Sequence, residues 1–290
     1  METILRSAGR EVTICPDGPT IIIGERINPT GKKLLAASLA ERNMGRVQRL
    51  ALSQVESGAD VLDVNVGAAG IDEVEVLPMA VKAVMEVTDL PLCLDSANAE
   101  ALRAALAVYP GKALINSVNG ERASMERVLP LVKEYGAAVI ALTMDDDGIP
   151  AEAEGRIAIA ARIIERAEAM GIPREDVLID CLALSVCTDG NAGRTTLAAI
   201  RGVREGLGVN MTLGASNISF GLPDREAIND IFLAMALAEG VDAPIVNPSQ
   251  SRQAILISDL LLGKDEFAMR YVRYHRQQSR KAAGAEQIGR

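Results

Sequence analysis

From Thr20 onward the chain repeats one pattern. A short apolar run, rich in β-branched residues, ends in a polar or Gly-containing turn and is followed by a helical stretch. The runs are Ile21–Gly24, Val61–Val66, Leu92–Asp95, Ala113–Asn116, Ala138–Leu142, Val177–Asp180, Met211–Gly214 and Pro244–Asn247. Between them apolar residues recur at three-and-four spacing, as in Ile228, Ile231, Phe232, Met235 and Ala236, with Asp224 predicted as N-cap. Met125, Val128, Leu129 and Val132 after Ser124 follow the same rule, as do Ile159, Ile163, Ile164 and Ala167. Continuous apolar strands alternating with helices imply a parallel sheet buried on both faces. Eight such units in about 270 residues predict an α/β fold, a (β/α)8 TIM barrel. An open doubly wound sheet would carry a Gly-rich phosphate turn after its first strand, and Gly24-Glu-Arg-Ile-Asn28 is not one.

No linker or low-complexity run interrupts the pattern, so the expectation is one domain over 1–290. Within it, 1–20 is a small preamble. Thr3–Leu5 and Glu11–Ile14 flank Ala8-Gly9-Arg10, which suggests a β-hairpin covering one end of the fold. Residues 264–290 are expected to form a helical tail.

Composition removes several functions. Aromatics are 2% against an apolar fraction of 49%, so the core must be aliphatic. Asp plus Glu number 39 against 30 Lys plus Arg, a net charge of −9 without a basic stripe. That argues against nucleic acid or an anionic membrane as partner. His275 is the only histidine, which disfavours a His-based metal site or a Ser/His/Asp triad. Cys15, Cys93, Cys181 and Cys187 form no C-x-x-C pair and read as reduced thiols of a cytoplasmic protein. No signal segment and no membrane-spanning run is visible.

In a barrel the carboxyl ends of all strands open into one mouth. The polar residues there are Glu25 and Asn28, Asp63 and Asn65, Asp95 and Ser96, Asn116 and Ser117, Asp180, Ser216 and Asn217, and Asn247. Arg26 is the only cation at a strand end. Carboxylates and amides without a cationic cluster suit a neutral, hydrogen-bond-rich heterocycle better than a phosphate. An Asp can accept two parallel N–H bonds from an edge such as N3–H and 2-NH2 of a pterin. Plainer readings stand beside these. Asp63 is equally a structural acceptor inside the barrel, Asp95-Ser96 equally a helix cap, and Glu25-Arg26 equally a local ion pair. Cys181 and Cys187 read as packing residues. Gly190-Asn-Ala-Gly-Arg-Thr-Thr196 lacks phosphate-loop spacing, and Asp145-Asp-Asp147 reads as a solvated turn.

In order and spacing, Gly24-Glu-Arg-Ile-Asn28, Leu62-Asp-Val-Asn65, Leu92-Cys-Leu-Asp-Ser96, Ile115-Asn-Ser117, Ile179-Asp180, Gly214-Ala-Ser-Asn-Ile-Ser219, Arg225-Glu226 and Ile245-Val-Asn247 resemble the pterin-binding methyltransferases. That family includes the methyltetrahydrofolate:corrinoid methyltransferases and the folate domain of cobalamin-dependent methionine synthase. The resemblance runs from about residue 20 to 263 and implies a dihydropteroate-synthase-like barrel. It implies that Asp95, Asn116 and Asp180 hold the pterin ring with Gly214 and Ser216, and that Asn217 approaches N5, the atom that carries the methyl group. Glu25, Asn28, Asp63, Asn65, Arg225 and Asn247 are the further candidates. Asp180-Cys181 departs from the Asp-Pro of relatives.

Asn217 is expected to donate a hydrogen bond to N5, with Asp95 and water completing the network, while tetrahydrofolate or 5-methyltetrahydrofolate is the substrate. The chain lacks the D-x-H-x-x-G pattern associated with corrinoid binding. The resemblance therefore implies a corrinoid (cobalamin) carried by a partner protein that docks at the barrel mouth, and a homodimer. No bound metal is expected. The alternatives are a dihydropteroate synthase-like enzyme, a non-catalytic folate-binding barrel, and a metal-dependent aldolase or isomerase using Glu25, Asp63, Asp95 and Asp180. The synthase needs cations for a pyrophosphate. Ser279-Arg-Lys281 lies far from the strands, and Met211–Pro223 contains no Lys.

Overall fold

The computed structural model describes residues 1–288. In chain order the elements are β1 (Thr3–Arg6), β2 (Glu11–Ile14), β3 (Ile23–Ile27), α1 (Lys33–Ala40), α2 (Gly45–Ser57), β4 (Val61–Asn65), α3 (Glu73–Met85), β5 (Leu92–Asp95), α4 (Ala99–Val108), β6 (Leu114–Asn119) and α5 (Arg122–Tyr135). Then come β7 (Ala138–Leu142), α6 (Ala153–Ala169), β8 (Val177–Asp180), α7 (Ala192–Leu207), β9 (Met211–Gly214), α8 (Arg225–Glu239), β10 (Ala243–Val246), α9 (Pro248–Leu261) and α10 (Met269–Ile288). Strands β3 to β10 pair in parallel and close into an eight-stranded barrel, with β10 meeting β3. The expected barrel is the fold.

Side chains alternate across a strand, and in a barrel this sorts them into inside and outside. The outward set includes Leu62, Leu94, Ile115, Val139, Ile179 and Leu213, packed against the helices in one large cluster. The inward set is small and aliphatic: Ile23, Val61, Cys93, Leu114, Ala138, Leu178 and Ala243. Scarce aromatics suit that narrow interior. The same inward cluster contains Leu5, Val12 and Ile14, so the hairpin β1–β2 plugs the amino-terminal end of the barrel. Asn210 fastens the plug by donating to Ile14 O and Thr3 Oγ1, each at 2.9 Å.

Several expected boundaries move. The first strand begins at Ile23 rather than Ile21 and runs on to Ile27. Ile21 and Ile22 instead donate their N–H groups to Asp242 O and Asp60 Oδ2, each at 2.9 Å. The register against β4 shifts between Gly24 and Ile27, a bulge that contains Glu25 and Arg26. A second bulge lies between Asn116 and Val118. Both fall at the mouth. The last strand ends at Val246, because Asn247 turns to cap α9. Asp224 holds the N-cap position of α8 in a left-handed conformation (φ 48°) and makes no cap bond. Ser124 lies inside the first turn of α5, where its Oγ accepts from Asn119 N–H at 3.1 Å. Residues 289–290 of the expected tail, and the Lys281 side chain of the Ser279-Arg-Lys281 stretch, lie outside what is described.

Leu5 is fully buried where the hairpin meets the barrel interior. Leu5→Ala is expected to cost about 2–5 kcal/mol of unfolding free energy by urea denaturation. A loss below about 1 kcal/mol would mean that the hairpin is not integral to the core.

Candidate active site

The mouth follows from the inward register. Two residues beyond Ile23, Val61, Cys93, Leu114 and Leu178 stand Glu25, Asp63, Asp95, Asn116 and Asp180. Ladder pairing sets Asn65 beside Asp95, Asp95 beside Asn116, and Leu142 beside Asp180. Seven strands of the barrel thus contribute an aliphatic floor, and five of them raise a polar ring above it.

Asp63 is 2% exposed. It accepts from Asn116 Nδ2 at 3.3 Å and from the Cys93 thiol. Burial, with Asp95 close by, pushes its carboxyl well above the usual range, so it favours the protonated form. Burial also raises Asp95 to about 6, although the Asn65 side chain donates to it and offsets part of the cost. Asp180 is likewise raised to about 6, chiefly by burial. Its Oδ1 accepts from Leu182 N–H at 2.7 Å and its Oδ2 from Gly214 N–H at 3.1 Å. Each oxygen is thus anchored by one backbone N–H and keeps a further lone pair open. At neutral pH the ring therefore offers two ionised acceptors, Asp95 and Asp180, with an amide, Asn116, between them.

Asp95 does not cap the following helix. Asn98 does, and Ser96 braces the loop, its Oγ donating to Glu73 Oε2 at 2.6 Å and accepting from Asn98 N–H at 3.0 Å. Asn217 sits in a 3-10 turn over Ala215–Ser219, directly after β9, and its side chain is exposed. Gly214 bonds to Asp180 and so links that turn to the ring. Ser216 and Glu25 line one small cavity with Asn247 and Gln250.

Other candidates are committed elsewhere. Asn28 Oδ1 accepts from Thr30 N–H at 2.9 Å, and Asn65 Oδ1 from Gly67 N–H at 2.8 Å. Asn247 caps α9 through Ser249 N–H and donates to Gln250 Oε1 at 2.8 Å. Arg225 donates to Ser216 O at 2.8 Å and to Ser219 Oγ at 3.0 Å, and its guanidinium lies over the Phe220 ring. Ser219 Oγ in turn donates to Asn229 Oδ1 at 2.7 Å. Arg225 thus clamps the turn that carries Asn217.

The rim is richer in cations than the strand ends suggested. Lys32 returns from the first loop to donate to Arg26 O at 3.0 Å. Arg26, Lys32 and Arg225 all act on the Glu25 carboxyl through space, yet burial still raises it. Burial lowers Lys32. Sequence reasoning missed Lys32 because it lies beyond a turn, Pro29-Thr-Gly31, rather than at a strand end. It also missed Gln54, which explains Gly24: Gln54 Oε1 accepts from Arg26 N–H at 2.8 Å, and a Cβ at position 24 would come within 2.5 Å of it. Among the described residues no group of three or more His, Cys, Asp or Glu is placed to hold a metal ion, and no helix is long and apolar enough to cross a membrane.

Comparison with known proteins points to one family. The family described as pterin binding enzyme matches residues 24–247. A methylcorrinoid:tetrahydrofolate methyltransferase of Eubacterium limosum is 32% identical over 265 residues, covering 89% of this chain and 96% of that one. The methionine synthase of Mycobacterium leprae is 32% identical over 259 residues, 81% of this chain but 22% of that much longer enzyme. Among solved structures, a dihydropteroate synthase of Xanthomonas albilineans with 4-aminobenzoic acid superposes with a TM-score of 0.68 at 21% identity, covering 90% of this chain and 99% of that one. At that identity the likeness is one of fold.

A carboxyl raised from 3.8 to about 6 keeps its proton in the native state at pH values where the unfolded chain has lost it. The native state then binds more protons, so stability is greatest at low pH and falls as pH rises through about 6. Asp95→Asn is therefore expected to stabilise the ligand-free protein by about 1–3 kcal/mol at pH 8, with the gain fading toward pH 4. Urea denaturation at the two pH values checks this. A loss of stability at pH 8 would show that the Asp95 charge is not held at a cost.

Proposed function

Because the chain belongs to the pterin-binding enzyme family, we propose that it is a methyltransferase moving a methyl group between N5 of tetrahydrofolate and the cobalt of a corrinoid carried by a partner protein. The observation that carries this reading is the match over 96% of the length of a methylcorrinoid:tetrahydrofolate methyltransferase. The mouth supports it. Asp95 and Asp180 are ionised acceptors suited to the N3–H and 2-NH2 groups of a pterin, and Asn116 can both donate and accept beside them. The carboxylates cost free energy in the empty site, and a ligand that donates N–H bonds relieves that cost. Met211–Pro223 contains no Lys, which speaks against a pyrophosphate-handling synthase.

The chemical difficulty is N5. An amine leaves poorly as its anion, so breaking the N5–CH3 bond requires a proton or a strong hydrogen bond at N5. In the reverse direction N5 attacks as a free amine and sheds a proton afterwards. Asn217, on the turn above the ring, donates to N5 through its amide and holds the developing lone pair or its proton in place without itself being the proton source. Asp95 and water complete the network. The clamp of Arg225 on Ser216 and Ser219 limits the freedom of that turn.

The corrinoid enters as the second substrate, at the open mouth. His275, the only histidine of the sequence, stands on α10 rather than on a barrel strand or a loop that follows one. The same reading places the enzyme in the cytoplasm and makes it a homodimer. Exposed Ile231 and Met235 of α8 and Leu261 of α9 offer apolar surface for a second copy.

Two variants test the roles. Asn217→Ala is expected to slow single-turnover methyl transfer by about 10²–10⁴-fold while pterin affinity by calorimetry stays within a few-fold. Transfer within a few-fold of wild type would remove Asn217 from N5. Asp95→Asn replaces an acceptor-only edge by a mixed one and is expected to weaken pterin binding by about 1–3 kcal/mol. Unchanged affinity would mean that the pterin lies elsewhere.

A further inference from the structure

Arg156 is 1% exposed, the largest side chain among the fully buried ones. It enters from the first turn of α6, and among the described residues none of its bonds goes to a carboxylate. Nε donates to Pro150 O at 3.0 Å, and Nη1 donates to Cys181 O at 2.9 Å, Leu182 O at 2.8 Å and Thr196 Oγ1 at 3.2 Å. Thr196 Oγ1 also donates to Leu182 O at 3.2 Å. One guanidinium thus ties together the loop before α6, the loop after β8 and the first turns of α7. A buried cation without a salt-bridge partner is costly, and it persists only where its hydrogen bonds hold it.

What it holds is the backbone immediately after Asp180. Leu182 is a non-glycine residue at φ 58°, a conformation that β-carbon sterics disfavour. In that conformation its N–H turns back to Asp180 Oδ1 at 2.7 Å while its carbonyl faces Arg156 and Thr196. The groups around Asp180 are few. Leu142 stands beside it on β7 and Thr212 on β9, neither charged. Arg156 from α6 is the cation acting on the Asp180 carboxylate. The Cys181 thiol and Asp189 of the same loop act on Arg156 together with Asp180.

We infer that Arg156 is a positioning residue for Asp180: it locks the Cys181–Leu182 backbone that aims the carboxylate into the mouth. Its positive field also favours the ionised carboxylate, against the larger effect of burial. For pterin binding this rests on the reading of Asp180 as a ring ligand.

The test uses the full chain without ligand and then with 6-methylpterin. In Arg156→Met the titration midpoint of the Asp180 carboxyl, followed by carbon-13 NMR and assigned with Asp180→Asn, is expected to rise above about 6. A rise of one unit weakens 6-methylpterin by about tenfold at pH 5 and by less than about twofold at pH 7.5, on top of any constant factor. A constant factor alone, with the midpoint unmoved, would make Arg156 a structural tie and overturn the field. If Arg156→Met does not fold, Arg156→Lys carries the test. It keeps the charge but cannot span the four acceptors, so the midpoint should stay near wild type while the Leu182 amide exchanges at least tenfold faster. Unchanged exchange would overturn the lock. A midpoint that rises while 6-methylpterin affinity ignores pH would uphold Arg156 and instead refute Asp180 as the pterin ligand.

Discussion

The structure turns on the burial of carboxylates at the rim of a closed barrel. Closing a parallel sheet leaves each strand no freedom about which residues face inward. The step from Val61 to Asp63, from Cys93 to Asp95 and from Leu178 to Asp180 therefore carries charge out of an aliphatic interior just as each strand ends. Desolvation penalises all three, and Asp63, hydrogen-bonded to Cys93 and under the field of Asp95, is raised furthest. The fold offsets the penalty with neutral donors where it can. Asn65 serves Asp95, Asn116 serves Asp63, and backbone N–H groups of Leu182 and Gly214 serve Asp180. What is left is a rim that favours a ligand bringing N–H donors.

Around this rim the loops act as fasteners. Gln54 fills the space that Gly24 leaves open and so permits the bulge that carries Glu25 and Arg26. Arg225, Ser219 and Asn229 hold the turn of Asn217. Arg156 holds the loop of Asp180. The same barrel serves dihydropteroate synthase at 21% identity, so the barrel itself does not decide the chemistry. The loops do.

How much of this could be read from the chain depends on the range of the interaction. The strands were legible because their apolar runs are short, continuous and local. Asp95, Asn116 and Asp180 were legible because strand alternation fixes their direction once a barrel is assumed. Lys32, Gln54 and Arg156 were not. Lys32 and Gln54 meet Arg26 across a turn and across a helix, and Arg156 meets Leu182 over a separation of 26 positions. No local pattern distinguishes such an Arg from the other polar residues of an amphipathic helix. The strand boundary at Asn247 differs for the opposite reason. A terminal Asn fits both a strand end and an N-cap, and the Pro248 that follows selects the cap.

Methyl exchange between a pterin nitrogen and cobalt can be read from the corrin absorbance. The protein is mixed with methylcobalamin and tetrahydrofolate, and separately with Co(I) cobalamin and 5-methyltetrahydrofolate, without oxygen. The methylcobalamin and Co(I) spectra are expected to interconvert with matching formation or loss of 5-methyltetrahydrofolate, and Asn217→Ala to suppress the change. A protein that binds the pterin yet leaves both corrin spectra unchanged, with free cobalamin and with a corrinoid protein alike, would contradict the proposed exchange.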